Sequence, residues 1–211
     1  MSVRKVITRR SNHFRAYIPS LKNEGPAECE SLLEAKFIRL CELSPLVLDY
    51  EVQPSLELIS VDGRLEQYFP DLRVRLADGT ERWIEVKPAG RLKVRRVACR
   101  MAAATMLFAQ SGRPFRIVTD QQLNVEPRAA NVLKLTYHRR GRLTPVEFEH
   151  FHHRLHRNQP RTLSDLFSLV GVEDAWRLLG LGVVGIDLDK PIELETVVYV
   201  EGGHRHADLF A

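Results

Sequence analysis

The sequence predicts a mixed α/β domain followed by a winged-helix-like domain. Three observations carry that reading. Residues 28–119 run helix, three or four strands, helix, strand. Two Asp-Gly turn signals, at 62–63 and 78–79, separate short runs of alternating apolar and polar residues. Residues 128–200 then run through helices joined by short turns into two strand-like segments.

Residues 1–25 read as a basic, mostly irregular arm. Over 28–43, Leu33, Phe37, Leu40 and Cys41 recur at helical spacing, with Gly25-Pro26 before them and Pro45 to end the helix. Residues 47–60 are strand-like and interrupted at Pro54, and a strand over 64–69 follows the turn at Asp62-Gly63. Leu72, Val74 and Leu76 alternate with Asp71, Arg73 and Arg75, which marks the next strand. After Asp78-Gly79 a strand covers 82–87. Residues 91–111 form a long helix closed by Gly112 and Pro114, and 115–119 a short buried strand.

The polar stretch ending in Pro127 divides the chain into an arm (1–25), an α/β domain (26–125) and a C-terminal domain (126–211). In the C-terminal domain, 128–137 and 144–157 are helical. Thr162 is placed to cap a helix through Val170. Gly171 separates that helix from another over 172–181. Segments 183–188 and 195–200 read as the strands of a wing.

Composition narrows the function. No apolar run approaches the ~18 residues of a membrane span, so no membrane role is expected. The N-terminus is basic with no apolar stretch behind it, which argues against a signal peptide. Cys29, Cys41 and Cys99 are odd in number and widely spaced. That argues against a disulfide framework or a zinc site and for a reducing compartment.

The net charge of +4 hides an asymmetry. Residues 1–119 carry 20 Lys and Arg against 14 Asp and Glu, and residues 120–211 carry 11 against 13. The front portion therefore suits a polyanion. One basic cluster holds Arg4, Lys5, Arg9, Arg10 and Arg15, interleaved with His13, Phe14 and Tyr17; another holds Arg91, Lys93, Arg95, Arg96 and Arg100. Arg9, Arg10, Arg15, Arg91, Lys93, Arg95 and Arg96 are the candidate contacts to DNA phosphates. The alternative is a solvated basic surface.

The informative motif is Pro70-Asp71, then Glu85-Val86-Lys87. Side chains alternate along a strand, so Glu85 and Lys87 share a face while Ile84 and Val86 face the core. Asp71 opens the neighbouring strand and can come beside Glu85. Two carboxylates and an ammonium at one point suit metal-assisted phosphodiester hydrolysis. Asp71 and Glu85 would hold Mg²⁺, with Mn²⁺ fitting the same site. Lys87 would orient or activate the attacking water, or stabilise growing charge. The plain alternative is a surface hairpin with a Glu–Lys ion pair. Glu34, placed mid-helix, is a third candidate acid, with Glu30 its competitor.

His150, His152, His153 and His156 invite a zinc reading, but no Cys lies nearby and no H-E-x-x-H is present. A solvated or DNA-facing helix accounts for them better. Glycines 180, 182 and 185 precede no helix, so they form no phosphate loop.

Taken together, these motifs resemble TnsA, the endonuclease subunit of heteromeric cut-and-paste transposons. The resemblance is carried by Phe14-Arg15-Ala16-Tyr17-Ile18-Pro19-Ser20-Leu21-Lys22, by Glu30-Ser31-Leu32-Leu33-Glu34 through Leu43-Ser44-Pro45, and by Gln53-Pro54, Pro70-Asp71 and Glu85-Val86-Lys87-Pro88. It covers about residues 9–90, with Ala16 where a Gly is expected. It implies a restriction-endonuclease-like PD-(D/E)xK core with Glu34, Asp71, Glu85 and Lys87 as the active site, the three acids binding metal. Some members have Gln in place of Glu85. It also implies cleavage of the 5′, non-transferred strands of double-stranded DNA at transposon ends. The implied partners are a TnsB-like transposase and a TnsC-like AAA+ ATPase that binds the C-terminal winged-helix domain. The implied setting is the bacterial cytoplasm, at the nucleoid when active. Two rivals remain: a stand-alone repair or junction nuclease with the same core, and a non-catalytic DNA-binding or scaffold subunit.

Overall fold

The computed structural model describes residues 15–210. They fall into two compact units: residues 15–42, 46–124 and 209–210 make the first, and 43–45 with 125–208 make the second. Among the described residues no helix is long and apolar enough to cross a membrane.

The first unit opens on two short antiparallel strands, β1 (Ala16–Ile18) and β2 (Ala27–Cys29). Ile18, Ala27 and Cys29 are buried, whereas Tyr17 is exposed. Two expectations are corrected here. Residues 16–18 are not irregular, and helix α1 spans Leu32–Leu43 rather than beginning at residue 28. The cause is the period-two burial of Ala27 and Cys29 around Glu28, which commits that segment to pairing with β1.

The central sheet has the order β3 (Val47–Val52), β6 (Leu72–Leu76), β7 (Glu81–Lys87), β8 (Phe115–Thr119). Its first two pairings are antiparallel and β7–β8 is parallel. A parallel neighbour requires a crossover. Helices α2 (Ala89–Leu92) and α3 (Arg95–Gln110) supply it. One helix over 91–111 is therefore corrected to two, with Val94 extended between them at φ −76° and ψ 117°. Between β3 and β6 the chain forms a hairpin of β4 (Glu57–Val61) and β5 (Arg64–Tyr68), turning at Asp62 and Gly63 with positive φ at both. A short α4 (Asp120–Leu123) follows β8.

The sheet is covered on both faces. On one, Trp83, Phe115 and Ile117 pack against Ile59, Val61, Tyr68, Met101, Ala104 and Phe108 of the hairpin and α3. On the other lie Leu72, Val74, Ile84, Val86 and Val118, all buried. Phe210 joins that side, receiving Arg82 on its carbonyl at 3.3 Å and meeting Phe37 of α1 ring to ring at 5.9 Å.

The second unit contains α5 (Arg128–His138), α6 (Pro145–Asn158), α7 (Leu163–Val170) and α8 (Val172–Gly180). Thr144 and Thr162 each begin a helix with a reciprocal capping box, through Glu147 and Asp165. Gly171, at φ +86°, makes the sharp turn from α7 to α8. Gly180 lets α8 touch α5, since a Cβ there would sit 2.8 Å from backbone at His138 and Arg139.

The expected wing strands at 183–188 and 195–200 are not formed. The two segments meet only at an antiparallel bridge, Gly185 with Tyr199. The reason is competition from a third segment. Gly203 donates to Gly182, Arg205 to Ile186, and Leu188 to Arg205, so 203–205 take the hydrogen bonds a hairpin would need. Gly185 permits this, because a Cβ there would lie 2.0 Å from the Gly203 carbonyl oxygen.

Candidate active site

The site begins with strand register. Leu72 pairs with Ile84, so the residue before Leu72 lies opposite the residue after Ile84. Asp71 and Glu85 therefore face each other at the end of β6 and β7. Asp71 Oδ2 also accepts from the Val86 N–H at 2.7 Å, which fixes its carboxylate over β7.

Glu85 is only 3% exposed, so the surface ion-pair alternative fails. Its two oxygens are held apart by different donors. Tyr68 donates to Oε2 at 2.6 Å, and Lys87 Nζ lies 2.6 Å from Oε1. The Lys87 side chain stays 34% exposed and so reaches the open side.

Electrostatics reinforce this picture. Desolvation, then repulsion from Glu85, hold the Asp71 carboxyl well above the usual carboxylate range. Burial alone would lower the Lys87 ammonium, but Asp71 and Glu85 outweigh it and the net shift is upward. Lys87 thus remains protonated at neutral pH. Burial also pushes the Tyr68 phenol far up, so it stays a hydrogen-bond donor.

Glu34 sits in the first turn of α1, not mid-helix. Its carboxylate accepts from the Glu30 N–H and from Ser31 Oγ, both at 2.8 Å. Serving its own helix start accounts for both oxygens. Glu34 still feels the site: its carboxyl is raised, first by burial, and it is coupled electrostatically to Asp71 and Lys87.

The residues present fit a divalent cation. Among the described residues no three His, Cys, Asp or Glu side chains form a ready-made metal cage. Mg²⁺ does not require one, since it is commonly held by one or two carboxylates while keeping several waters. Asp71 and Glu85 supply two hard oxygen donors. Once Asp71 and Glu85 are both ionised, the single Lys87 ammonium offsets only one of them, and Glu34 adds to the negative potential. A divalent cation is the natural complement.

Two residues of this region carry no mark in the sequence pattern. Tyr68, at the end of β5, reaches Glu85 only because the hairpin folds onto the sheet. Asp120 accepts from the Ala89 N–H at 2.6 Å and ties the chain just after Lys87 to the end of β8.

Of the candidate DNA contacts, Arg91, Lys93, Arg95 and Arg96 are all exposed around α2 and the start of α3. Arg15 is half-buried immediately before β1. Arg9 and Arg10 lie outside the described residues. His150, His152, His153 and His156 are exposed on α6, with His152 and His156 ring centroids 4.2 Å apart.

Residues 44–120 match the family model described as TnsA-like endonuclease N terminal. The match runs from β3 through β8 and includes Asp71, Glu85 and Lys87, while Glu34 precedes it. A comparison with curated proteins finds no match.

Proposed function

From the premise that this chain carries a TnsA-like endonuclease domain, we propose that it is the DNA-nicking subunit of a heteromeric transposase. One observation carries the reading: two opposed carboxylates, Asp71 and Glu85, at the end of β6 and β7, with Lys87 protonated beside them and partly exposed.

Each residue has a chemical task. Asp71 and Glu85 hold the metal through hard oxygens, and Mg²⁺ or Mn²⁺ suits them. When bound, such a cation polarises a scissile phosphate and acidifies water. Tyr68 fixes one Glu85 oxygen, so the pair keeps its aim. Lys87 offers a fixed positive charge to the phosphate as negative charge grows there. Its raised pKa favours that role over proton abstraction. Glu34 adds negative potential from the helix start. Arg91, Lys93, Arg95 and Arg96, exposed after β7, would grip the DNA backbone.

The proposed substrate is double-stranded DNA at transposon ends, cut on the 5′, non-transferred strands. A TnsB-like transposase would cut and join the 3′ ends, and a TnsC-like AAA+ ATPase would dock on the second unit. The setting would be the bacterial cytoplasm, on the nucleoid when active. The test uses the full chain with both partners and end-bearing DNA. Asp71→Ala abolishes 5′-end cleavage while 3′-end joining continues. Loss of joining as well would make Asp71 an assembly residue and sink the reading.

A further inference from the structure

Gln53, just past β3, combines three features that folding alone does not explain. It is only 7% exposed. Its backbone is left-handed, at φ +46°, a conformation side-chain-bearing residues seldom adopt without strain. Its Oε1 is buried and has no hydrogen-bond partner among the described residues. A buried acceptor without a donor is costly and rare, and calls for an explanation.

Its position supplies one. Val52 pairs with Leu72, and the Gln53 N–H continues the ladder by donating to the Asp71 carbonyl at 2.9 Å. Gln53, Asp71 and Glu85 thus occupy one row across three adjacent strands. The amide orientation is settled by its other end. Nε2 donates to Glu30 Oε1 at 3.3 Å, a carboxylate that could not serve an amide oxygen. The Glu30 N–H in turn donates to Glu34. Oε1 is left needing a donor, on a side chain whose amide nitrogen already serves the Glu30 carboxylate.

A hydrated divalent cation provides what is missing. Mg²⁺ releases its waters reluctantly, and each retained water needs an acceptor. We propose that Gln53 is a further binding residue of this site, its Oε1 accepting a hydrogen bond from a water in the shell of the cation held by Asp71 and Glu85. This rests on the nuclease reading above. It also explains why a strained backbone persists beside Asp71.

The experiment is calorimetric titration of the full chain with Mn²⁺ alone, without DNA. Wild type is compared with Gln53→Leu, Gln53→Gly and Asp71→Asn. Leucine keeps the bulk and removes the amide; glycine relieves the left-handed backbone and gives a second folded route to the same deletion. Wild type binds Mn²⁺, Asp71→Asn abolishes binding, and both Gln53 variants weaken it by about tenfold or more. Asp71→Asn losing Mn²⁺ while both Gln53 variants bind as wild type overturns this proposal alone. No binding by wild type, or binding unaffected by Asp71→Asn, overturns the metal-dependent reading itself. Failure of both Gln53 variants to fold would place the side chain in the core framework and also overturn the proposal.

Discussion

The phenol of Tyr68 donates to Glu85 Oε2 at 2.6 Å, with both side chains almost wholly buried. The bond makes the β4–β5 hairpin a part of the site. The Tyr68 ring meets Phe108 and Phe115 edge-on at 6.4 and 6.3 Å, and the Arg100 guanidinium lies 5.7 Å from its centre. Packing holds the ring, and the ring holds the carboxylate.

Tyr68→Phe separates those two jobs. The ring contacts survive, but Glu85 loses a donor. Unfolding in urea should show a loss of about 1–2 kcal/mol. Nicking should fall by about tenfold or more, as for other groups that orient a metal ligand. Unchanged nicking with the same loss of stability would leave Tyr68 a packing residue only.

Asp71→Asn should stabilise the metal-free protein. The carboxyl is raised above its unfolded value, chiefly by desolvation and then by Glu85. The native state therefore holds a proton that the unfolded state has released. Stability falls as pH rises from the unfolded value to the folded one, and stays low above it. Asparagine keeps an oxygen for the Val86 N–H and carries no charge. In EDTA at neutral pH its Tm should exceed wild type by about 2–4 °C, and added Mn²⁺ should narrow or reverse the gap. A lower Tm in EDTA would mean that the charge at Asp71 is not a burden to the fold.

How much of this was legible before the structure depends on the range of the interactions. Asp71, Glu85 and Lys87 follow from strand alternation and a Pro-Asp start, both local signals. The helix start at Leu32 was not legible, because it depends on β2 finding β1 across the intervening loop. Tyr68 and Gln53 reach the site through hairpin packing and register, which no window of sequence displays. The wing was misread for a similar reason. Segments 183–188 and 195–200 have strand-like composition, but residues 203–205 compete for the same backbone groups.

His204 should give the second unit an acid-sensitive step. It is fully buried, with Nδ1 accepting from the Ile186 N–H at 3.2 Å and Nε2 facing the Leu179 carbonyl at 2.9 Å. Burial pushes its pKa down to about 4. Neutral imidazole satisfies both partners; protonation would break the bond from Ile186. A depressed value means stability is fully present above the unfolded value near 6.5 and is lost as pH falls toward 4. The size is about 3 kcal/mol across that window. NMR titration should find that the His204 imidazole stays neutral until the pH falls to about 4. A His204 resonance titrating near 6.5 would remove the step.

The start of α3 poses the sharpest question about DNA. Arg95 and Arg96 occupy its first turn, where no acidic residue balances them. Positive charge there opposes the helix dipole, at a cost of about 0.3–1 kcal/mol per residue when exposed. Other arginines of the unit have partners: Arg73 pairs with Glu51, Arg100 with Glu66, and Arg113 with Glu57. Arg95 and Arg96 make no ion pair among the described residues, so within the fold they are a net burden. Phosphate contact would justify them. The double change Arg95→Gln with Arg96→Gln should leave thermal stability equal or slightly higher. It should also weaken DNA binding and reduce the slope of log affinity against log salt by about 2. An unchanged slope would show that these arginines touch no phosphate, and α3 would then present only a solvated end.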